Sequence, residues 1–180
     1  MAYNEILIAG FGGQGVMSMG TTMAEAALSE GLNVSWLPSY GPEMRGGTAN
    51  CSVVIADSEI ISPIVVQPSE LIAMNLPSLD KFEPTVKPGG YIFVNNSIIK
   101  RKLVRTDVKA IYVPTLDIAD ELGNMRVANM VMLGSYIEAT GVLKFDTVVN
   151  MLRNIFTGKK AHLVEINQQA LQRGAACAKI

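Results

Sequence analysis

A glycine-rich turn near the N-terminus is the first stretch whose residue types could do chemistry. An apolar run at residues 6–9 leads into Gly10-Phe-Gly-Gly-Gln-Gly15, which has the glycine spacing of a dinucleotide-binding turn. Glycine permits positive φ and close approach of the backbone, and the first amides of a following helix attract an anion. The alternative is that these glycines only let a helix pack closely on a strand. The candidate phosphate seat consists of Gly10, Gly12, Gly13, Gln14 and Gly15.

Two familiar nucleotide sites do not fit this turn. A P-loop needs a lysine followed by Ser or Thr after its glycines, and none follows here. An NAD site needs an acidic residue about 20 positions on, at the end of the second strand, to bind the ribose. The predicted second strand, residues 34–37, ends in Pro38-Ser39-Tyr40 instead, and Glu43 and Arg45 come later in a loop. We therefore expect no appreciable binding of NAD or NADP.

The loop at residues 38–47 is the second stretch with chemical potential. Prolines and glycines fix and bend its backbone, while polar side chains project from it. Arg45 could act as a fork for a phosphate or a carboxylate, with Gly46 and Gly47 giving access. Alternatively, Glu43 and Arg45 pair with each other on the surface. The candidate residues of this loop are Ser39, Tyr40, Glu43, Arg45, Gly46 and Gly47.

The rest of the chain predicts the elements that would position these stretches. Short apolar segments bounded by Gly, Pro, Asp or Asn predict strands at residues 6–9, 34–37, 49–55, 71–74, 91–94 and 110–113. Apolar spacing predicts helices at residues 16–28, 78–82, 115–122, 127–139, 145–156 and 163–178, the third of them capped by Thr115. The expected fold is α/β, with a Rossmann-like, mostly parallel sheet flanked by helices and a helical C-terminal third. No linker divides the chain, so we expect one domain over residues 1–180.

Asn129 is a polar residue inside the predicted helix 127–139, which is apolar on almost every side. A buried amide needs a hydrogen-bond partner. Asn129 therefore either ties down a loop carbonyl or helps to position the glycine turn.

The composition limits the kinds of partner. A formal net charge of -1 gives no electrostatic case for nucleic acid, and Lys100-Arg101-Lys102 is expected in a solvated loop. No apolar run approaches the roughly 20 residues of a membrane span, and Met1 leads almost directly into a core strand, so we expect a cytoplasmic protein with no membrane partner. Charged residues make up 17% of the chain, and there are ten methionines. This composition indicates surface buried against other subunits, although a Met-rich core would also explain it.

Cysteine and histidine are too sparse for a metal or redox centre held by this chain alone. Cys51 and Cys177 share no CxxC or Cys/His spacing, so they do not predict an iron-sulfur cluster. Cys51 is expected to be a small core residue in a strand. His162 is the only histidine, and we expect it on the surface at a helix start.

Taken together, these motifs resemble the gamma subunit of 2-oxoacid:ferredoxin oxidoreductases. The resemblance rests on Gly10-Phe-Gly-Gly-Gln-Gly15 followed by Ser39-Tyr-Gly-Pro-Glu-Met-Arg-Gly-Gly47. It continues through Ile72-Ala-Met-Asn75 and Asn129-Met-Val-Met-Leu-Gly134, and so covers nearly the whole chain. The combination of both loops is more similar to the 2-oxoglutarate and branched-chain oxoacid types than to the pyruvate type.

The resemblance implies a part of an enzyme that is not active alone. The implied reaction is oxidative decarboxylation of a 2-oxoacid, with 2-oxoglutarate favoured, using coenzyme A as co-substrate and giving acyl-CoA, CO2 and reduced ferredoxin. Thiamine diphosphate, Mg2+ and iron-sulfur clusters would lie in companion alpha, beta and delta-type subunits, and ferredoxin would be reached through the complex. The glycine turn and the Arg45 loop would then contact either coenzyme A or a neighbouring subunit. The alternative from another class is a stand-alone Rossmann-like domain that binds a nucleotide or another anion.

Overall fold

A six-stranded mixed sheet forms the centre of the chain, in a computed structural model that describes residues 3–40 and 48–178. Each predicted strand is confirmed, and most run further than predicted because pairing continues past the apolar residues. The strands are β1 (Tyr3–Phe11), β2 (Asn33–Tyr40), β3 (Thr48–Ala56), β4 (Glu70–Ala73), β5 (Tyr91–Asn95) and β6 (Lys109–Val113).

The strand order is β2-β3-β1-β4-β5-β6. Strands β1, β4, β5 and β6 run parallel to their neighbours in this series, whereas β3 runs antiparallel to both β1 and β2. The sheet is thus mostly parallel, as predicted, with β3 as the reversed strand. The reversal has a simple cause. Since β2 ends at Tyr40 and β3 begins at Thr48, their connection is shorter than the dozen or more residues that a parallel crossover needs.

The helices of the described residues begin and end within two residues of their predicted positions. None of them is both long enough and apolar enough to cross a bilayer. The helices are α1 (Val16–Ser29), α2 (Leu76–Phe82), α3 (Thr115–Glu121), α4 (Ala128–Thr140), α5 (Phe145–Ile155) and α6 (Leu163–Ala178).

Apolar side chains project from both faces of the sheet and form two clusters, one on each face. Ile8 and Ile72 belong to the larger cluster, together with residues of α1, α4, α5 and α6. Leu7 and Leu71 point to the opposite face and belong to the smaller cluster, which includes Leu79 of α2. Because successive strand residues alternate between faces, an uninterrupted apolar run covers both sides of the sheet.

Helix α4 is buried on nearly all sides, as its sequence predicts. Every residue from 128 to 137 is buried. Its Gly134 faces the backbone of Leu171 in α6, and Gly174 of α6 faces the backbone of Val131 in α4. The two helices therefore touch backbone to backbone, with no space for a side chain between them.

The predicted cap of α3 is wrong. The Thr115 hydroxyl is buried and has no hydrogen-bond partner among the described residues. Instead, Ser97 Oγ accepts the amides of Leu116 over 3.0 Å and of Asp117 over 3.3 Å. Thr115 is already the first helical residue, one position too late to cap the helix.

The basic triplet at residues 100–102 is only partly solvated, which corrects the expectation for Arg101. Arg101 Nη2 lies 2.6 Å from Asp80 Oδ1 and 2.8 Å from Glu83 Oε2. Glu83 Oε1 also accepts the amides of Val104 over 2.6 Å and of Arg105 over 3.0 Å. Burial alone would raise the pKa of Glu83, but hydrogen bonds from Arg105 and Arg101 hold that pKa below its ordinary value. An ionised Glu83 thus fixes the loop between β5 and β6.

Candidate functional site

The glycine turn joins the end of β1 to the start of α1. Gly13 and Gly15 have φ values of 94° and 75°, which glycine adopts most readily. The Gln14 amide donates to the Phe11 carbonyl over 3.2 Å, and Gly12 lies exposed between them. No described side chain caps α1, and its first turn carries no acidic residue. The first amides of α1 are therefore available to an anion.

The side chain of Gln14 fixes the shape of the turn. Its Oε1 accepts the Phe11 amide over 2.7 Å, and its Nε2 donates to the Met74 carbonyl over 3.1 Å. A Cβ at Gly10 would lie 2.7 Å from Gln14 Oε1 and 2.9 Å from Val16 Cγ2. Gly10 and Gln14 therefore hold the turn together, which matches the packing interpretation for Gly10.

Asn129 connects α4 to the same turn. Its Nδ2 donates to the Gly15 carbonyl over 3.4 Å, and the residue is 8% exposed. A Cβ at Gly15 would lie 2.6 Å from that Nδ2 atom. The sequence offered two roles for Asn129, which were to bind a loop carbonyl or to position the glycine turn. One hydrogen bond fulfils both, because the carbonyl that Asn129 binds belongs to the turn.

A cavity of about 390 Å³ opens beside the turn. It lies at the carboxyl ends of β1 and β4, where ligands of open α/β sheets commonly bind. The lining consists of Gly13, Gln14, Gly15, Ser18, Met74, Leu116, Met125, Arg126, Ala128 and Asn129.

Arg126 is the residue of this cavity that the sequence analysis missed. It is exposed, and it forms no ion pair within residues 3–40 and 48–178. Arg126 lies three positions before Asn129, so the helical spacing to Asn129 was the signal that could have identified it. A guanidinium, free helix amides and the absence of an acidic residue in the described lining suit a phosphate or carboxylate group, not acid-base chemistry.

The strands that flank the second candidate loop end at this edge of the sheet. Tyr40 of β2 pairs with Ala49 of β3, and Ala49 pairs with Gly10 at the end of β1. Ser39 is exposed one residue before the end of β2. Both candidate stretches therefore start from neighbouring strand ends. The remaining candidates of the loop, Glu43, Arg45, Gly46 and Gly47, lie outside the described residues.

The two cysteines and the single histidine lie in different parts of the fold and do not fit a cluster or metal site. Cys51 is fully buried on β3, Cys177 lies on α6, and His162 is exposed just before α6. Burial raises the pKa of Cys51 to about 11, so its thiol stays protonated at neutral pH. The part of the chain that the structure describes contains no group of three or more His, Cys, Asp or Glu that could hold a metal ion.

Comparisons with known proteins identify the relatives of this fold. The family model for pyruvate ferredoxin/flavodoxin oxidoreductase matches residues 5–177. The ketoisovalerate oxidoreductase subunit VorA of Methanothermobacter marburgensis is 44% identical over 176 residues, which are 97% of this chain and 36% of VorA. The chain thus spans about a third of the length of the VorA relatives it matches.

Two solved structures share the fold. The gamma subunit of a keto/oxoacid ferredoxin oxidoreductase from Geobacter sulfurreducens PCA has a TM-score of 0.83 and 30% identity, over 97% of this chain and 98% of that chain. The 2-oxoglutarate:ferredoxin oxidoreductase from Magnetococcus marinus, with 2-oxoglutarate, coenzyme A and succinyl-CoA bound, has a TM-score of 0.91 and 25% identity, over 99% of this chain and 31% of that chain. Since the family model covers almost the whole chain and a gamma subunit has the same extent, this chain belongs to the pyruvate ferredoxin/flavodoxin oxidoreductase family, as a gamma-type member.

Proposed function

We propose that this chain is the gamma-type subunit of a complex that oxidatively decarboxylates a 2-oxoacid with coenzyme A, yielding acyl-CoA, CO2 and reduced ferredoxin. The observation that carries the proposal is the fold shared with the Geobacter gamma subunit at 30% identity. Companion alpha, beta and delta-type subunits would hold thiamine diphosphate, Mg2+ and the iron-sulfur clusters, and ferredoxin would dock on the complex. The chain would have no activity alone.

Two 2-oxoacids are candidate substrates of the complex. The sequence motifs favour 2-oxoglutarate, and the Magnetococcus relative carries that name and ligand. Ketoisovalerate is the substrate in the name of the VorA relative, which has the higher sequence identity. The choice depends on a substrate pocket that companion subunits would build.

Co-expression of the tagged chain with its companion subunits tests both points. We expect a stable hetero-oligomer that reduces ferredoxin with one of the two 2-oxoacids only when coenzyme A is present. Initial rates with 2-oxoglutarate and ketoisovalerate identify the substrate. If the chain elutes alone and binds a nucleotide or phosphate in isolation, the stand-alone binding domain replaces this proposal.

Within the complex, we assign the cavity beside the glycine turn to a phosphate group of coenzyme A. Gly13, Gly15 and Ser18 at the start of α1, together with Arg126 and Asn129, line the space that such a group would enter. The partial positive charge at the start of α1 and the Arg126 guanidinium act in the same direction on an anion. The chain's own residues would bind and orient coenzyme A, while bond making and breaking occur elsewhere in the complex.

Replacing Arg126 by glutamine should weaken coenzyme A binding selectively. Loss of one charged hydrogen bond, worth roughly 1.5 kcal/mol, corresponds to about a tenfold rise in the KM for coenzyme A. The KM for the 2-oxoacid and the subunit stoichiometry should stay unchanged. Arg153→Gln, on the exposed side of α5, is the matched control. An unchanged KM for coenzyme A in Arg126→Gln would leave the phosphate assignment to Arg45 or to a companion subunit.

A further inference from the structure

We propose that the uncharged segment between Glu59 and Glu70 is the surface on which a companion polypeptide docks, through its side chains Ile61, Ile64 and Val66. The docking partner is the polypeptide equivalent to the part of VorA that this chain does not match. This inference rests on the proposed function, because it assumes that such a companion exists.

The segment presents large aliphatic side chains to solvent. Ile61 is 95% exposed, Ile64 is 62% exposed and Val66 is 75% exposed. Single exposed apolar residues are ordinary on protein surfaces, but three within six positions form a patch of the kind that marks an interaction site. No charged residue occurs between Glu59 and Glu70. The patch therefore lacks the charges that usually keep a free surface solvated.

The segment is held firmly at its C-terminal end and does not belong to either core cluster. The Ser69 amide donates to the Glu5 carbonyl over 2.8 Å, and the Glu5 amide donates to Ser69 Oγ over 2.8 Å. The Lys87 amide donates to the Pro68 carbonyl over 2.9 Å. The chain enters the segment from the end of β3, where Ala56 pairs with Tyr3. Both ends of the segment thus lie near the beginning of β1, at the opposite end of the strand from the glycine turn.

The covalent arrangement of the relatives indicates the occupant. The VorA relative and the Magnetococcus chain each contain this fold as about a third of a longer polypeptide, whereas the Geobacter gamma subunit has it as a separate chain. In the Geobacter arrangement, where the fold is a separate chain, the contact that the longer relatives make within one polypeptide is made between two. An uncharged aliphatic patch suits the apolar face of such a companion, since the cores of protein interfaces are depleted in charge.

The test compares how strongly two variants, each with exposed aliphatic residues replaced, bind their companions in the co-expressed complex. The triple variant Ile61→Ser, Ile64→Ser, Val66→Ser removes the patch. The matched control is Val104→Ser, because Val104 is 82% exposed in the loop between β5 and β6. We expect the triple variant to bind its companions at least about tenfold more weakly, and Val104→Ser to bind like the wild type. Both isolated variants should keep the wild-type Tm, because the replaced side chains are already exposed.

Each further outcome has a definite meaning. If the triple variant binds its companions like the wild type, or Val104→Ser weakens binding equally, the docking surface is refuted. It is also refuted if the isolated chain forms a dimer that the triple variant abolishes while companion binding is unaffected, since a second copy would then occupy the patch. If the wild type itself fails to bind any companion, the proposed function fails instead.

Discussion

Gly134→Val should lower the free energy of unfolding by more than about 4 kcal/mol, because it forces a side chain between two touching backbones. A Cβ at this position would lie 2.7 Å from the carbonyl carbon of Leu171 and 2.8 Å from its Cα. A neighbouring side chain could rotate away, but the α6 backbone can only move as a whole. Gly134→Ala should cost about 3 kcal/mol, at the upper end of ordinary overpacking. Urea unfolding followed by circular dichroism measures both variants.

Two comparisons decide whether the loss comes from the contact between α4 and α6. Gly174→Ala places a methyl group against the Val131 backbone from the other helix, so it should destabilise the chain to a similar degree. Gln172→Ala lies on the exposed side of α6 and should change stability by no more than about 0.5 kcal/mol. A wild-type unfolding midpoint for Gly134→Val would contradict the backbone contact.

The fold could be predicted from the sequence to the extent that local patterns determine it. The strands and helices lie close to their predicted positions, because apolar runs and helical spacing are local signals. The reversal of β3 was not predicted, although the short connection after Tyr40 contained the information. The close contact through Gly134 and Gly174 could not be predicted, since it depends on which faces of two distant helices meet.

The candidate site was predictable in its backbone and only partly in its side chains. The glycine turn and its contact with Asn129 follow from residue types that tolerate positive φ or require a partner when buried. Arg126 was missed because its only sequence signal is the helical spacing to Asn129, and that signal has meaning only once Asn129 is known to contact the turn. The cap assigned to Thr115 was wrong because Ser97, a residue distant in sequence, supplies the hydroxyl.

Stability should also fall with rising pH because of one buried carboxyl group, that of Glu70. Glu70 is 6% exposed at the start of β4, and Ser69 Oγ donates to its Oε2 over 2.8 Å. The pKa of Glu70 is raised to about 7, mainly by burial and in part by the negative charge of Glu5. The hydrogen bond from Ser69 and the positive charge of Lys87, which is paired with Glu5, both lower that pKa and offset part of the rise. The pKa of Tyr136 is raised mainly by the burial of its side chain and, to a smaller degree, by the charge of Glu70. The folded state therefore holds a proton on Glu70 that the unfolded chain releases near its ordinary pKa of 4.5.

The sign of the effect follows from linkage. A group whose pKa is higher in the folded than in the unfolded chain contributes its full stabilisation at pH values below the unfolded pKa. This stabilisation is lost as the pH rises through the folded pKa. For Glu70 the window runs from 4.5 to about 7. Each pKa unit corresponds to about 1.4 kcal/mol, so the wild type should lose about 3 kcal/mol from this group between about pH 4 and about pH 8.

Glu70→Gln should remove this pH dependence, because its amide keeps the shape of the protonated carboxyl group without titrating. We expect the variant to be more stable than the wild type by about 3 kcal/mol at about pH 8 and nearly equal to it at about pH 4. The measurement is the difference in the free energy of unfolding between the two proteins across that range, which cancels the titration of other carboxylates. Glu138→Gln, on the exposed side of α4, should follow the wild-type curve. Parallel curves for Glu70→Gln and the wild type would show that the pKa of Glu70 is the same in the folded and unfolded chains, with Lys87 offsetting the effect of burial.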